Sequence, residues 1–452
     1  MSIRRFTASL LRPLLVAAAV TVLAGWMASP AGAQFINQQV GGVSIDASGV
    51  LSKIQVDQLN DLKRFRQQAF AAVPGDLQDQ NLRKISLRGL EAAIAELRKE
   101  GKPLTDDIRY LGGLQRIQYV FVYPERGDIV IAGPAEGWKL NALGEVVGLT
   151  TDRPVLLLDD LLVALRSIEG AQSTGILCSI DPTNEGLARS AALLKRLTNP
   201  GDNIQPVLDQ LENAVGPQTI TVKGVPETSH FARVLVAADY RMKRIAMGFD
   251  ESPLKQLPSY LQMLSSGIAR NVGNLPRWWL EPTYDAILSD ADGLAFEFRG
   301  ASVKSVTEDQ YLDASGQRKS SGKVDGLAKK WSDLMTNHYD ELSRQDAIFG
   351  QLRNCIDMAV LAALIQKENL TEKTNWSMSL LLDSDLPVES YNAPHQVASL
   401  ASAVQKKGAW YLSVSGGVMI NPWQPVAQPE RSAELASIRE KAAAPAQSWW
   451  WN

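Results

Sequence analysis

Between Ser229 and Val306 the chain sets acids, cations and indoles close together: Asp239, Arg241, Lys243 and Arg244 in one run, Trp278 and Trp279 ahead of Glu281, and Glu297 two residues before Arg299. Carboxylates beside aromatic rings are what glycan hydrolysis requires. One acid protonates a leaving oxygen, a second assists attack, and sugar faces stack on indole. Asp239, Glu281 and Glu297 are therefore the candidate catalytic residues, and Arg241, Lys243, Trp278, Trp279 and Arg299 the candidate binding residues. The same residues also suit bracing, because Arg and carboxylate tie helix to hairpin through charge-assisted hydrogen bonds. Glycosidase carboxylates are recognised by a separation in space of about 5 Å or about 6.5–9.5 Å, which spacing along a chain does not fix. Bracing is the leading reading.

Other constellations carry less. Asn337-His338-Tyr339-Asp340-Glu341 offers a base, a phenol and two acids, but neighbours along a helix point apart, so only His338 with Glu341, or Glu341 with Asn337, share a face. A triad built on His338 or His230 lacks its nucleophile elbow, since Gly170 to Gly175 has the wrong spacing. Asp290-Ala291-Asp292-Gly293 begins like a calcium loop yet lacks the third acid and the Glu at position twelve. Turn chemistry explains it, as it does Asp46 to Gly49 and Asp313 to Gly316. The phosphate-binding, dinucleotide-binding and Cys-x-x-Cys motifs are absent, so no cofactor is expected. His230, His338 and His395 have no ligand spacing, so no metal is expected either. Cys178 and Cys355 either join in one disulfide linking the two halves, as an oxidising compartment permits, or stay apart as two buried thiols.

These residues need elements to hold them. In Ser229–Gly248, Phe231, Leu235, Ala238, Met242 and Ile245 recur at helical spacing while the charges fall mostly elsewhere, which predicts an amphipathic helix. PRWWLEP follows, and then two apolar runs joined by Ser-Asp-Ala-Asp-Gly predict a hairpin. Upstream, Val40 to Ile54 reads as a hairpin, and residues 55–72 and 86–99 as polar helices. From Leu111 to Val147 β-branched and aromatic residues run in short alternating stretches, and Gln118 to Asn141 reads as a hairpin in a sheet turning at Glu125 to Asp128. Arg153 to Ile168 reads as a buried strand meeting a helix capped by Asp159 or Asp160. Gly175 to Leu197 repeats that design, ending near Asn199-Pro200-Gly201, and Gln218 to Val225 adds a strand. Downstream, residues 324–344 and 346–366 form a helical pair, Leu380–Leu382 and Trp410–Val414 read as strands, and the end is a tail or loosely docked helix whose Trp449 to Trp451 seek burial. The fold class is mixed α/β (α+β): an N-terminal mixed sheet with helices, and a helix-rich C-terminal half. The expected divisions are 1–33, 34–110, 111–225, 226–425 and a tail from 426 to 452.

The first 33 residues have Arg4 and Arg5 at the start, an apolar middle from Leu14 to Leu23, and Ala31-Gly32-Ala33 at the end. That is the pattern of a secretory signal. The apolar run falls short of the roughly 20 residues a spanning helix needs, and no later stretch reads as a transmembrane segment. The whole chain has net charge -3, and loss of the leader removes three arginines and no acid. Such a chain is poorly suited to nonspecific nucleic-acid binding, which depends on Lys and Arg neutralising phosphates. A 45% apolar composition supports a packed core.

The motifs GGVSIDASGVL, YVFVYPERGDIVIAGPAEGW, CSIDPTNEGLARS, VLVAADYRMKRIAMGF, PRWWLEP, GLAFEFRGASVKSVTED and NHYDELSRQDAIFGQLRNCIDMAVLAALI together resemble a family of secreted planctomycete proteins known only as a domain of unknown function. The resemblance spans most of the mature chain. It implies an exported bacterial protein, periplasmic or extracellular, and carries over no activity or ligand. The functional expectation is a noncatalytic cell-envelope or periplasmic protein, structural or binding, whose partner is an envelope component or polymer. The alternative is a hydrolase acting on envelope glycan or peptide with the carboxylates of residues 239–299. Mass spectrometry of the exported protein should find Gln34 as the first residue; an intact leader would defeat the signal assignment.

Overall fold

A computed structural model describes residues 39–53, 79–196, 205–266, 275–312, 318–320, 322, 324–401, 404–406, 409–411, 415–443 and 451. The helix expected over 55–72, the end of the helix near Asn199, and the turn at Asp313 to Gly316 lie outside them. Val43–Ile45 (β1) and Val50–Lys53 (β2) form the expected hairpin, with Ile45 opposite Leu51. Gly49 sits at φ +81, where a side chain would be strained. Gln80–Ser86 (β3) runs into Leu87–Lys99 (α1), and Ser86 Oγ caps it by accepting from Gly89 N–H at 2.8 Å. Tyr119–Tyr123 (β4) and Asp128–Ala135 (β5) pair antiparallel across the turn at Pro124–Arg126. A small hairpin follows, Trp138–Leu140 (β6) with Val146–Gly148 (β7).

The strand expected before the next helix does not form. Pro154 has no N–H to give a ladder and makes only an isolated bridge to Val147. Nor does an aspartate cap that helix, Leu158–Ser167 (α2): its N-cap is Leu157. Asp159 instead accepts from the Glu389 N–H at 3.0 Å, and Asp160 holds His230. The second strand-to-helix unit is as expected, Ile176–Pro182 (β8) then Asn184–Arg196 (α3), followed by Gln205–Val215 (α4) and Gln218–Lys223 (β9). His230–Ala246 (α5) is the central helix, and Tyr260–Ser266 (α6) follows. PRWWLEP is itself a strand, within Leu275–Thr283 (β10). Ala286–Ser289 (β11) and Ala295–Arg299 (β12) make the expected hairpin, Ser302–Leu312 (β13) and Arg318–Ser320 (β14) another.

The C-terminal half is mostly helical: Gly326–Asn337 (α7), Tyr339–Gln345 (α8), Ala347–Lys367 (α9), Leu370–Thr374 (α10) and Ser379–Leu382 (α11). α11 stands where a strand was expected, because Glu91 Oε1 accepts from the free N–H groups of Leu380 and Leu381 at 2.6 and 3.2 Å and so caps a helical turn. Gln396–Val397 (β15), Ser415–Ile420 (β16), Glu430–Arg431 (β17) and Glu434–Ala442 (α12) complete these elements, and Ala409–Tyr411 is a short strand that overlaps the expected 410–414 run at its first two residues, the rest of which lies outside the described residues.

The larger sheet runs β1-β2-β15-β9-β8-β16-β10-β13-β14, and the smaller β17-β11-β12-β4-β5-β3. Both are mixed: β16 lies parallel to β10 and antiparallel to β8. On the inner face of the larger sheet Cys178, Ile180, Trp278, Leu280, Val418 and Val303 are buried, and α5 and α7 pack there. The smaller sheet turns Val120, Ile131, Phe296 and Phe298 toward the same core. Its other face is covered by α12, where Leu435 is buried with Phe121 and Leu288 and the Tyr123 hydroxyl donates to the Arg439 carbonyl at 3.0 Å. Of the tail or loosely docked helix expected here, the described residues form a docked helix. Trp451 bridges to Ile85 under the Arg83 guanidinium, while Trp449 and Trp450 lie outside the described residues.

α9 is the hub. It packs on α2, α5, α8, α10 and β13. By length and composition alone it would cross a bilayer, which the sequence reading did not anticipate, yet 94% of its most apolar window is buried inside the protein. Residues 40–452 form one compact unit, and both sheets draw strands from distant parts of it. Cys178 on β8 and Cys355 on α9 are free and fully buried, so the disulfide alternative is not realised. Burial pushes both thiols well above their ordinary range. Both should resist alkylation in the folded protein and react as two separate thiols after denaturation; a crosslinked peptide on a nonreducing map would contradict this.

Candidate functional site

Ser229 starts α5 by accepting from the Ala232 N–H at 3.1 Å. Phe231, Leu235, Ala238, Met242 and Ile245 are buried as their spacing predicts, but so are Arg233, Asp239 and Lys243. The helix is enclosed nearly all round instead of amphipathic, because α9 and the larger sheet both pack on it. Asp239 Oδ2 accepts from Lys243 Nζ at 2.8 Å, one helical turn on, and Lys243 Nζ also donates to the Ile180 carbonyl of β8 at 2.9 Å. Asp239 Oδ1 is buried without a hydrogen bond. Burial raises the Asp239 carboxyl to about 6 despite the opposing pull of Lys243. Beside Lys243 is a small pocket, open to solvent on one side, of about 40 Å³ and lined in part by Ile180, Tyr240, Arg244 and Phe249, with room for a few waters.

Arg241 and Arg244 converge on Asp250, each with a nitrogen 2.8 Å from its Oδ2, and Arg241 Nε also reaches Asp346 at 2.8 Å. Although burial opposes it, the guanidiniums of Arg244 and Arg241 together with Lys53 hold the Asp250 carboxyl far below its ordinary value. These contacts fasten the end of α5 to the turn after it and to the start of α9.

The two indoles of PRWWLEP do not form a platform. Successive strand residues point to opposite faces. Trp278 turns inward and is fully buried, donating to the Ala328 carbonyl at 3.2 Å and meeting Tyr260 and Trp331 edge-on at 4.9 and 5.0 Å. Trp279 turns outward, half-buried, under the Arg277 guanidinium, which is 3.5 Å from Asp181 of β8. On the same outer face Glu281 lies across from Lys304, 2.9 Å away, and accepts from the Trp279 indole at 3.3 Å. Thr219, Lys223 and Met419 share that face and are exposed. Gly417 lies opposite Trp279, where a Cβ would meet the Cys178 carbonyl at 2.1 Å. Glu297 belongs to the smaller sheet, on the side of α12, and pairs with Arg299 at 2.9 Å.

The candidate catalytic acids are thus not brought together. Asp239 is inside on a helix, Glu281 on the outer face of one sheet and Glu297 on another sheet. Arg241, Lys243 and Arg299 each hold a carboxylate. His230 binds Asp160, Nδ1 to Oδ2 2.9 Å, and Cys355 reaches the same carboxylate, so the aspartate stands between the two groups. Burial lowers the His230 pKa but Asp160 more than reverses this, leaving it raised. His338 lies 3.8 Å from Glu341 across one turn. Asp290 Oδ1 accepts from the N–H groups of Leu294 and Ala295, the turn role expected of it. Sequence reasoning missed Asp181, Arg277 and Asp250. Only strand register brings the first two together, whereas the cation-rich end of α5 was a signal for the third.

Residues 178–260 match the model of a family described as "Protein of unknown function (DUF1598)". The chain carries a DUF1598 domain. No curated protein and no solved structure matches the chain. The DUF1598 segment runs from Cys178 on β8 through α3, α4, β9 and α5, so it contains Asp181, the Asp239–Lys243 pair and Asp250. Its strands complete their sheet only with β15 and β16 from outside the segment.

Lys243→Met should cost about 3–5 kcal/mol, because it leaves Asp239 buried and unpaired, while the double change Asp239→Leu/Lys243→Met should be far milder. The folded Asp239 pKa, about 6, exceeds the ordinary aspartate value of 3.8, so its contribution is full below pH 4 and is lost as pH rises through 6. Asp250 has the opposite sign, stabilising above pH 4 and losing that contribution on acidification. Denaturant titrations of Asp239→Asn and Asp250→Asn across pH 3–7 should each flatten the matching limb.

Proposed function

We propose that the protein is an exported, noncatalytic component of the bacterial cell envelope or periplasm, of the planctomycete type its motifs resemble, with a structural or binding role. The observation that carries this reading is the dispersal of Asp239, Glu281 and Glu297, each ion-paired, the first inside on a helix and the other two on different sheets. Glycoside cleavage needs two carboxylates facing one bond. The outer face of the larger sheet suits binding better than chemistry. Trp279 there offers a ring for stacking, and Arg277, Glu281 and Lys304 offer hydrogen bonds around it, on a sheet face instead of a closed cleft. Export rests on the leader pattern from Arg4 to Ala33.

The hydrolase alternative has one favouring observation, the raised pKa of Asp239. That carboxyl is enclosed and bound by Lys243, which suits a fastening better than an acid meeting a polymer. The test uses the purified mature protein with isolated peptidoglycan. No soluble fragments should appear, and the protein should sediment with the polymer, several-fold less after Trp279→Ala with the melting midpoint little changed. Fragment release abolished by Glu281→Gln or Asp239→Asn would overturn the proposal.

A further inference from the structure

Away from α5, four arginines from three separate parts of the chain gather around the N-terminal half of α9. Arg353 is 1% exposed on that helix. Its Nη1 donates to Ser343 Oγ at 3.2 Å and lies 3.5 Å from Asp340 Oδ1, while its Nε and Nη2 are buried with no hydrogen-bond partner among the described residues. Arg344, at the end of α8, shares Asp340. Arg116, just before β4, donates through Nη2 to the Gly300 carbonyl at 3.2 Å, and its buried Nε, 3.9 Å from Asp357 Oδ2, makes no hydrogen bond. Arg153 is held nearby through its neighbour: Asn354 donates to the Pro154 carbonyl at 3.2 Å, and Pro154 lies on Gly350. The Arg153 side chain makes no hydrogen bond or ion pair among the described residues.

The acids do not balance this. Asp340 is shared by two of the arginines, and Asp357 spends Oδ1 on the Tyr284 hydroxyl at 2.7 Å. Burial brings Arg353 down to about 10, with Arg116 and Arg153 adding to the shift and Asp357 opposing it, and burial with Arg344 and Arg116 lowers Arg153 against the pull of Glu136. These like charges sense one another, and a guanidinium does not escape by losing its proton near neutral pH. Buried charge without a partner is costly. Planar donor forks presented from several directions are the arrangement that tetrahedral oxyanions take.

We propose that Arg116, Arg153, Arg344 and Arg353 form a binding site for a phosphate or sulfate group, held in part by the free Nε and Nη2 of Arg353. Buried Arg353 supplies the fixed donors, and the more exposed Arg153 and Arg344 form the side from which the anion enters. The site is independent of the outer sheet face and of any envelope role, since its arginines gather around α8 and α9 and not on that sheet. The occupant is either a free oxyanion or the same group carried on an organic molecule.

The full mature chain is titrated calorimetrically with inorganic phosphate, sulfate and glucose 6-phosphate at matched ionic strength, with chloride as control, and melting midpoints are recorded in parallel. Saturable heat is expected with phosphate or sulfate, and a midpoint rising with the logarithm of anion concentration. Arg153→Gln should weaken the apparent affinity about tenfold or more, and Arg153→Gln/Arg344→Gln should abolish it, both folding with midpoints in chloride near that of the unaltered protein. Preference for glucose 6-phosphate would identify an organic phosphoryl group as occupant, and the reverse a free ion. No saturable heat with any of the three anions, or heat and midpoint shifts unchanged in the double variant, would overturn the proposal and leave only the general stabilisation excluded salts give.

Discussion

The rest of the structure depends on a helix that has no face to give to water. α9 is about 30 Å long at 1.5 Å per residue, and almost every side chain from Ile348 to Ile365 is buried. An element of this kind is stable only when apolar surface closes over it on every side, each large side chain gaining roughly 1.5–3 kcal/mol from burial. α2, α5 and α8 lie along it, with the larger and smaller sheets contributing to the same core. This explains why α5, polar in sequence, is swallowed as well: it lies between α9 and the larger sheet, so its second face has to be dry. Its charges then need partners inside, and Lys243 finds them in Asp239 and the Ile180 carbonyl.

Ionic contacts in this protein fall into two energetic classes. Pairs on the sheet faces, such as Glu281 with Lys304 and buried Glu297 with exposed Arg299, have at least one member open to water, and such pairs contribute from nothing to about 1 kcal/mol each. Pairs inside cost several kcal/mol per ion in lost hydration, which their mutual attraction repays only when geometry is good. Asp239 with Lys243, and Asp160 with His230, therefore fix how neighbouring elements meet more than they add net stability. Asp250 is intermediate. Partly open, it gathers Arg241, Arg244 and Lys53 and so locks the exit of the central helix to β2.

Much of the fold could be read from local pattern. The hairpins at Asp46 to Gly49, Glu125 to Asp128 and Asp290 to Gly293, the β8–α3 unit and the α7-to-α9 helices follow from turn chemistry and hydrophobic period. The failures share one cause, which is long-range partners. Leu380 to Leu382 looks like a strand until Glu91, far off in sequence, caps it as a helix. Asp160 looks like a cap until His230 claims it. Of the candidate site, the residue types and the leaning toward bracing were legible. That Trp278 and Trp279 face opposite ways followed from the strand period once PRWWLEP was known to be a strand, but the prolines at both ends concealed it. The Asp181–Arg277 contact was invisible, since it crosses a strand contributed by residues 415–420.

That intervening strand has a consequence for how the molecule is made. β16 lies between β8 and β10, donating its backbone to Ile176–Ile180 on one side and to Arg277–Leu280 on the other. A nascent chain leaving the ribosome carries both neighbours long before it carries their spacer. During that interval the half-built sheet exposes two raw edges, the situation in which intermediates of large proteins stick to one another. Closure waits on residues 415–420, with contacts of very high sequence separation that slow the final step. The late spacer keeps the sheet unlocked until residues 415–420 have emerged.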